Sequence, residues 1–497
     1  MLKGLKLPLN KWNAKYIYFT GKIENSKKKP RVSLQQFINT VESEKKRKIM
    51  KSSDNSYEGS GKTRTFSEIQ AKIDAGEAIV LTAEEIDARI KAGEKVAFED
   101  VDVVTAATRG IMSGTYAIFS FKVAEPDSFV RASEVYLNGI PAVVGPCPNE
   151  RLGILDLIVL GTAHSRTKPK YGGGHLFRDL VEGKTITVDV RPSEGDGESA
   201  SSSPFSIETS LYEMPFARLY ATRNAFKNYK AFVNPGKKPL NTIFHVLPFE
   251  GNFREMTFCG CGTLNPLEKD PTLESIGIGT KVLINGAEGF ITGSGTRSSA
   301  AAPNLAGFAD LHDMNPDYMG GFVSSEGPEI INTWAIPIPV LNPDMLENIL
   351  KPDRGIPLQL VDLAGRNPLC EITYGDVWDK TDLKVHYKPE ACLECEPCAV
   401  EETCPLKAIT RTPEGKIKHN QGLCFNCGLC VSKCPGGAFK ARLGSVRCTI
   451  EGRMREIKVT LRQSDRARAV KAAKELKKKV LSGEFKLKEK VENIRFD

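Results

Sequence analysis

The 497-residue chain is expected to fold as a mixed α/β large domain, followed by a small α+β cysteine-rich module and a C-terminal basic helix. Three observations lead there. Residues 155–160, 175–182 and 185–190 read as strand, helix and strand, with Gly183 as the helix stop. Eight of the thirteen cysteines crowd into two runs near the C-terminus. After Ser464, the expected cap, Ala469, Val470, Ala473, Leu476 and Val480 recur at helical spacing through Leu481, before Gly483. A hydrophobic content of 40% is ample for a large core, and no apolar run is long enough to span a membrane.

In chain order, residues 1–64 carry 16 Lys/Arg against 5 Asp/Glu, while the rest of the chain is close to neutral. This basic extension is expected to be disordered. The overall charge of +8 therefore gives no reason to invoke nucleic acid. The N-terminus lacks the continuous apolar segment of a secretory signal. Thr65 with Glu68, and Thr82 with Glu85, each fit a capping box that opens a short helix ending at Gly76 or Gly93. The large domain is expected over 65–350, a linker over 351–384, the cysteine module over 385–448 and a helical tail over 449–497.

Cys424, Cys427, Cys430 and Cys434 are spaced C-x2-C-x2-C-x3-C and followed by Pro435; Cys392, Cys395, Cys398 and Cys404 form a second run, followed by Pro405. This is the spacing of an α+β ferredoxin-like domain with two [4Fe–4S] clusters, in which the fourth cysteine of each run serves the other cluster. Cys392, Cys395 and Cys398 then pair with Cys434, and Cys424, Cys427 and Cys430 with Cys404. The first run has five residues rather than three before its last cysteine, an excess a surface loop absorbs at little cost. Four-cysteine zinc sites usually show two C-x2-C pairs, unlike these runs. Cysteines in metal spacing rather than a disulfide framework point to the cytoplasm.

The large domain offers further candidates. Pro148 suits a first helical residue, which would put Cys147 at an N-cap where the helix dipole favours a thiolate. Cys259 and Cys261 lie two apart, so in an extended chain both sulfurs would reach one metal or one substrate. Gly172, Gly173, Gly174 and His175 precede a helix and could offer amides to a substrate's anion, and Arg297 could fork onto a carboxylate. Each has a plainer structural alternative: a tight turn, a hairpin loop or a buried cysteine. Cys370 and Cys448 stand alone and are expected to be buried, and His164 and His312 are expected to be structural.

Several of these segments together resemble the archaeal homocysteine-biosynthesis, sulfur-incorporation family. They are Gly172-Gly-Gly-His175 with Asp179-Leu-Val-Glu-Gly-Lys184, Asn265-Pro-Leu-Glu-Lys-Asp-Pro271, Ile276-Gly-Ile-Gly-Thr280 and Ile336-Pro-Ile-Pro-Val340. Gly145-Pro-Cys-Pro-Asn-Glu-Arg-Leu152 and the ferredoxin-type fusion resemble its branch known as methanogenesis marker protein sixteen. The resemblance implies reductive sulfur transfer of the aspartate semialdehyde to homocysteine type, with a sulfur donor and a low-potential electron donor. Relatives carry a cysteine after the Gly-Gly-Gly-His helix, whereas residues 190–213 here have none. A persulfide, or a further metal, would have to use Cys147, Cys259 or Cys261. A homo-oligomer is compatible with this reading. The alternative is an electron-transfer or metallocofactor-assembly protein supporting methanogenesis.

Overall fold

A computed structural model describes residues 63–145, 147–193, 203–225, 227 and 229–496. The expectation for the basic extension through residue 62 lies outside these residues. Arg64, assigned by sequence to the extension, belongs to the body: its amide donates to Leu341 O at 2.8 Å and its guanidinium to Val101 O at 2.7 Å. Both capping boxes form. Thr65 and Thr82 accept the amides of Glu68 and Glu85, whose carboxylates bond back at 2.6 and 2.7 Å. The helices, Phe66–Asp74 and Ala83–Lys91, end at Gly76 and Gly93, both with positive φ.

The chain then supplies β1 (Val80–Thr82), β2 (Val103–Ile111), β3 (Thr115–Lys122), β4 (Ala132–Leu137), β5 (Ile140–Val144), β6 (Ile154–Leu160), β7 (Ile186–Pro192), β8 (Phe205–Thr209) and β9 (Phe216–Asn224). β10 (Lys230–Val233) and β11 (Met256–Phe258) leave for a second sheet. β12 (Lys281–Ile284), β13 (Ala287–Ser294), β14 (Leu305–Asp310), β15 (Gly320–Ser324) and β16 (Gly327–Pro339) return to the first. Its order is β1-β2-β16-β12-β13-β14-β9-β3-β6-β5-β4-β7-β8, with β15 on β16.

The expected strand–helix–strand unit forms, with the helix at Gly173–Val181, but its strands are not parallel. β6, β5, β4 and β7 are joined by successive antiparallel pairs, so the β4–β5 hairpin fills the place of a crossover neighbour. β6 is buried on alternate residues only, with Leu155, Leu157 and Val159 meeting Phe119 and Phe121 of β3.

Residues 351–384 are not a linker. They form β17 (Pro357–Asp362), β18 (Pro368–Thr373) and the helix Tyr374–Trp378. The cysteine module follows with β19 (His386–Tyr387), β20 (Ile409–Arg411), β21 (Ile417–His419) and β22 (Phe439–Lys440), paired as two short ribbons. It ends before β23 (Ser445–Ile450), earlier than expected, because β23 pairs with β24 (Arg453–Arg462) in the second sheet. That sheet runs β18-β17-β10-β11-β24-β23, so the module is inserted into it and residues from 449 onward are no mere tail. Its edge strands β18 and β23 touch, closing it around Val233, Phe258, Leu358, Leu360 and Val459. Cys370 and Cys448 sit on these two strands; Cys448 is buried and Cys370 half-buried.

The terminal helix, Arg466–Leu481, is capped by Asp465 rather than Ser464. It buries Ala469, Ala472, Ala473, Leu476 and Val480 against β2 and β16. Small residues on β2 allow this close approach: Thr105 Oγ1 donates to Ala473 O at 2.9 Å. Among the described residues, no helix is long and apolar enough to cross a membrane.

Candidate active site

β11 runs straight into the Cys259-Gly-Cys-Gly262 turn. An extended chain would put both sulfurs on one face, but Gly260 and Gly262 adopt φ of +103° and +58° and break that alternation. Side chains are excluded there. A Cβ on Gly260 would lie 2.1 Å from Tyr374 Oη, and one on Gly262 2.2 Å from Asp353 Oδ1. Cys261 is fully buried with its thiol 3.7 Å from Arg109 O, and burial pushes that thiol's pKa up. Cys259 is half-buried and lines a cavity of about 250 Å3 that Cys261 does not reach. The expected two-sulfur site is therefore not formed.

The turn is fixed from several sides. Tyr374 OH donates to Cys259 O at 3.1 Å, and Trp378 Nε1 to Gly260 O at 3.2 Å. Cys259 N donates to Lys230 O at 3.1 Å and Gly260 N to Ser464 Oγ at 2.7 Å.

Three cations border the cavity: Lys230, Arg297 and Arg366. None of its described lining residues is an Asp or Glu. The Arg366 guanidinium lies 4.3 Å from the Phe244 ring centre and 5.1 Å from that of Phe232, which orients its plane. Lys230 Nζ donates to Gln359 Oε1 at 2.8 Å, and burial lowers its pKa. Arg297 is exposed at the rim with φ +60°. Of the expected residues, the structure thus brings Cys259 and Arg297 together.

Sequence reasoning missed Gln463. Its Nε2 donates to Phe244 O at 3.0 Å and Thr257 Oγ1 at 3.1 Å, which turns Oε1 toward Cys259. The Cys259 thiol donates to that oxygen at 3.2 Å. It also missed Lys230, Arg366 and Tyr229, which come from β10 and from loops remote in sequence and carry no motif.

Cys147 does not join this site. It is exposed in a bend, and the next helical turn, Glu150–Leu152, is a single 3-10 turn capped by Asn149. No helix dipole activates it. Gly145 N donates to Asp156 O, and Asp156 pairs with Ser120 on β3. The cavity lies beyond the other end of β3, at Ser113, and the strand from Ser120 to Thr115 alone spans roughly 17 Å at strand rise.

The Gly172-Gly-Gly-His175 segment offers no anion site either. Gly173 N donates to Ala163 O at 3.0 Å, Gly174 N to Gly161 O at 2.8 Å, and Gly172 N to His175 Nδ1 at 3.1 Å. The glycines serve close packing: a Cβ on Gly173 would come 2.1 Å from Leu160 O. His312 is held at both ring nitrogens, by Asp310 and Leu211 O, whereas His164 is exposed. His164 lies against Gly327, where a Cβ would come 2.3 Å from its ring, and His312 Nδ1 is 2.6 Å from Asp310.

In the cysteine module, Cys404, Cys424, Cys427 and Cys430 ring one small cavity walled by Val385, Val400, Leu406 and Phe425. Three come from one run and Cys404 from the other. Burial and the neighbouring sulfurs push the Cys424 thiol up to about 12 and raise those of Cys427 and Cys430 further. A bound cationic core would relieve that cost. The Asn426 amide points at Cys424 Sγ at 3.4 Å, a second-sphere bond of the kind that supports metal ligands. Cys392, Cys398 and Cys434 lie around Tyr387, with the Ala438 amide 3.3 Å from Cys434 Sγ. Cys395 is on the same loop as Cys392 and Cys398; its carbonyl accepts from Arg411 Nη2 at 2.6 Å. The two extra residues of this run are absorbed in a helical turn, Ala399–Thr403. Among the described residues, no three His, Cys, Asp or Glu side chains converge as a single ion would need.

The module meets the cavity through two consecutive residues. Arg462 N donates to Cys427 O at 2.8 Å, and the next residue, Gln463, holds Cys259. Cys427, Phe425 and Leu429 also pack with Ile111, which lines the cavity. The second cysteine loop, residues 424–429, is buried here, whereas the first is open to solvent at Leu393.

A thiol in a cationic cavity thus lies beside a cysteine-rich module within a mixed α/β body. A family model described as homocysteine biosynthesis enzyme, sulfur-incorporation, matches residues 78–487, and the chain belongs to that family. It is 44% identical over 427 residues to an uncharacterised protein of Methanothermobacter thermautotrophicus, covering 85% of this chain and 94% of the relative. It is 30% identical over 307 residues to the L-aspartate semialdehyde sulfurtransferase of Methanosarcina acetivorans, covering 61% of this chain and 59% of that one. A stretch of 54 residues, 10% of this chain, is 46% identical to a quarter (25%) of formate hydrogenlyase subunit 2 of Escherichia coli. No solved structure matches.

Proposed function

We propose that the chain transfers sulfur reductively to a small carbonyl compound, with Cys259 as the sulfur carrier. One observation carries this reading: Cys259 opens into a cavity bordered by Lys230, Arg297 and Arg366 and is joined through Gln463 and Arg462 to Cys427. The two cysteine sets would hold two [4Fe–4S] clusters, Cys392, Cys395, Cys398 and Cys434 for one and Cys424, Cys427, Cys430 and Cys404 for the other. Such clusters supply single electrons at potentials down to several hundred millivolts negative. Arg462 and Gln463 give a covalent and hydrogen-bonded route from the Cys427 loop to Cys259, no longer than about 15 Å by backbone dimensions.

The chemistry balances as follows. The outer sulfur of a Cys259 persulfide adds to the carbonyl carbon. Two electrons and two protons cleave the S–S bond and restore the Cys259 thiol. Loss of water leaves a thiocarbonyl, and two further electrons and two protons give the product thiol. The electrons come from a low-potential donor and the persulfide from a sulfur donor.

Lys230, Arg297 and Arg366 hold a substrate oxyanion, the two arginines by forked hydrogen bonds. The substrate named for the Methanosarcina relative also carries an α-ammonium group, which would meet no carboxylate in this lining. An unpaired buried ammonium is costly. The substrate here is therefore a short anionic carbonyl compound without an amino group. This supports a ferredoxin-fused branch of the family, of the methanogenesis marker protein sixteen type, whose substrate differs from that relative's.

The test is anaerobic turnover of cluster-loaded protein with polysulfide as the sulfane-sulfur donor and a low-potential reductant. The substrates are a short oxo-acid aldehyde and L-aspartate semialdehyde, and the thiols are quantified by mass spectrometry. The amino-free aldehyde should be preferred by at least tenfold, and Cys259→Ser should abolish product. Preference for L-aspartate semialdehyde would overturn the substrate assignment. Turnover by Cys259→Ser would overturn the carrier, and absence of thiol product from the wild type with either aldehyde would leave electron transfer or cofactor assembly as the role of the chain.

A further inference from the structure

Gln463 is 3% exposed, and its amide group is fully committed. Both Nε2 bonds, to Phe244 O and Thr257 Oγ1, fix which end of the amide faces Cys259. The carbonyl oxygen at 3.2 Å can only accept, so this contact needs a hydrogen on the sulfur. A thiolate would face the lone pairs of that oxygen, and a persulfide has no hydrogen on Sγ. The contact therefore belongs to the unloaded, protonated cysteine alone.

The charged and titratable groups around Cys259 are Lys230, Arg297, Arg366, Tyr229, Tyr374 and Cys261. The three cations favour a thiolate. An unloaded thiolate in this cavity would add to the carbonyl substrate through Sγ and form an unproductive hemithioacetal. We infer that Gln463 is a positioning residue that holds unloaded Cys259 as a thiol and is displaced when sulfur is loaded. The substrate then meets a reactive sulfur only after loading. This inference rests on the carrier role proposed for Cys259.

The experiment measures iodoacetamide alkylation of Cys259 across pH 6 to 10 in the full-length, cluster-loaded chain, by peptide mass spectrometry. Gln463→Met keeps the side-chain volume and removes the acceptor. Its alkylation midpoint should fall by about one pH unit, with a roughly tenfold faster rate at neutral pH. Gln463→Glu is nearly isosteric and places an anion on the sulfur, so its midpoint should rise. Thr257→Val loosens one anchor of Nε2 and should act as Gln463→Met does, more weakly. In persulfide-loaded protein, wild type and Gln463→Met should be alkylated at the same rate. Opposite shifts are the signature of this role, since a merely structural residue would move both variants alike. Unchanged midpoints, or shifts in one direction for both position-463 variants at unchanged iron content, overturn the inference. Failure of the carrier reading is separate: it shows as thiol product from Cys259→Ser, whatever the alkylation midpoints do.

Discussion

His175 gives the sharpest test of how its glycine-rich segment is used. The ring accepts the Gly172 amide on Nδ1 at 3.1 Å and is packed so closely that a Cβ on Gly321 would come 2.0 Å from that nitrogen. Burial, aided by Lys407 and Arg178 and opposed by Asp179, lowers its pKa from 6.5 to about 4. The folded state therefore rejects a proton that the unfolded chain accepts. A depressed histidine contributes stability that is whole above pH 6.5 and is lost as pH falls toward 4. The full difference is about 3 kcal/mol, and about 2 kcal/mol of it is gone by pH 5. His175→Asn keeps an acceptor for the Gly172 amide and removes the titration. Anaerobic urea unfolding, followed by tryptophan fluorescence at pH 8 and pH 5, should show wild type losing about 2 kcal/mol more than His175→Asn. Equal losses would refute the buried, neutral ring. Phosphate or sulfate that protects wild type at pH 5 but not the variant would restore the anion-binding role the sequence suggested.

Removing the Arg366 fork should weaken binding of the anionic substrate. Arg366→Met should raise its Kd by roughly ten- to a hundredfold, as measured by calorimetry, because charge-assisted bonds contribute about 1.5–3 kcal/mol. Asp465 pairs with Arg109 at 3.5 Å with both side chains fully buried, and it also caps the terminal helix. Asp465→Ala should cost about 3–5 kcal/mol in urea unfolding, since it leaves Arg109 buried without its partner. Reconstituted protein should contain about eight iron and eight sulfide per chain, and about two zinc without sulfide would refute the cluster assignment. Tyr374→Phe removes one bond to the Cys259 carbonyl and should destabilise the fold by about 1 kcal/mol in the same unfolding assay.

Local chemistry was legible in the sequence. Thr65 and Thr82 cap as their glutamates indicate, because a capping box is complete within four residues. The two cysteine runs place Cys404 beside Cys424, Cys427 and Cys430 around one cavity, a grouping their spacing indicates. Readings that depended on a neighbour's position failed. Cys259 and Cys261 diverge because Gly260 and Gly262 take left-handed conformations, which no alternation rule anticipates. Cys147 lacks its helix because the segment after it closes a single turn at Gly153. The amides before His175 are taken by Gly161 and Ala163, partners set by tertiary packing. Gln463 and Arg366 carry no motif and reach the cavity only because β24 and the β17–β18 turn pack around β10 and β11.

The insertion of the cysteine module between β18 and β23 has a thermodynamic consequence. Those strands are the two edges that close the sheet on which Cys259 is held. Whatever the module binds in its folded form alone adds to the stability of that closure by mass action. On the proposed cluster and carrier assignments, iron supply and the integrity of the Cys259 turn are thus linked. On the proposed cluster assignment, unloaded chains in an iron-starved cell would unravel first at the β18–β23 seam and present themselves to proteases. In the proposed reaction, the anchoring at both ends also removes diffusion from the inner electron step, whose rate should not depend on protein concentration, unlike delivery to the open first loop from outside.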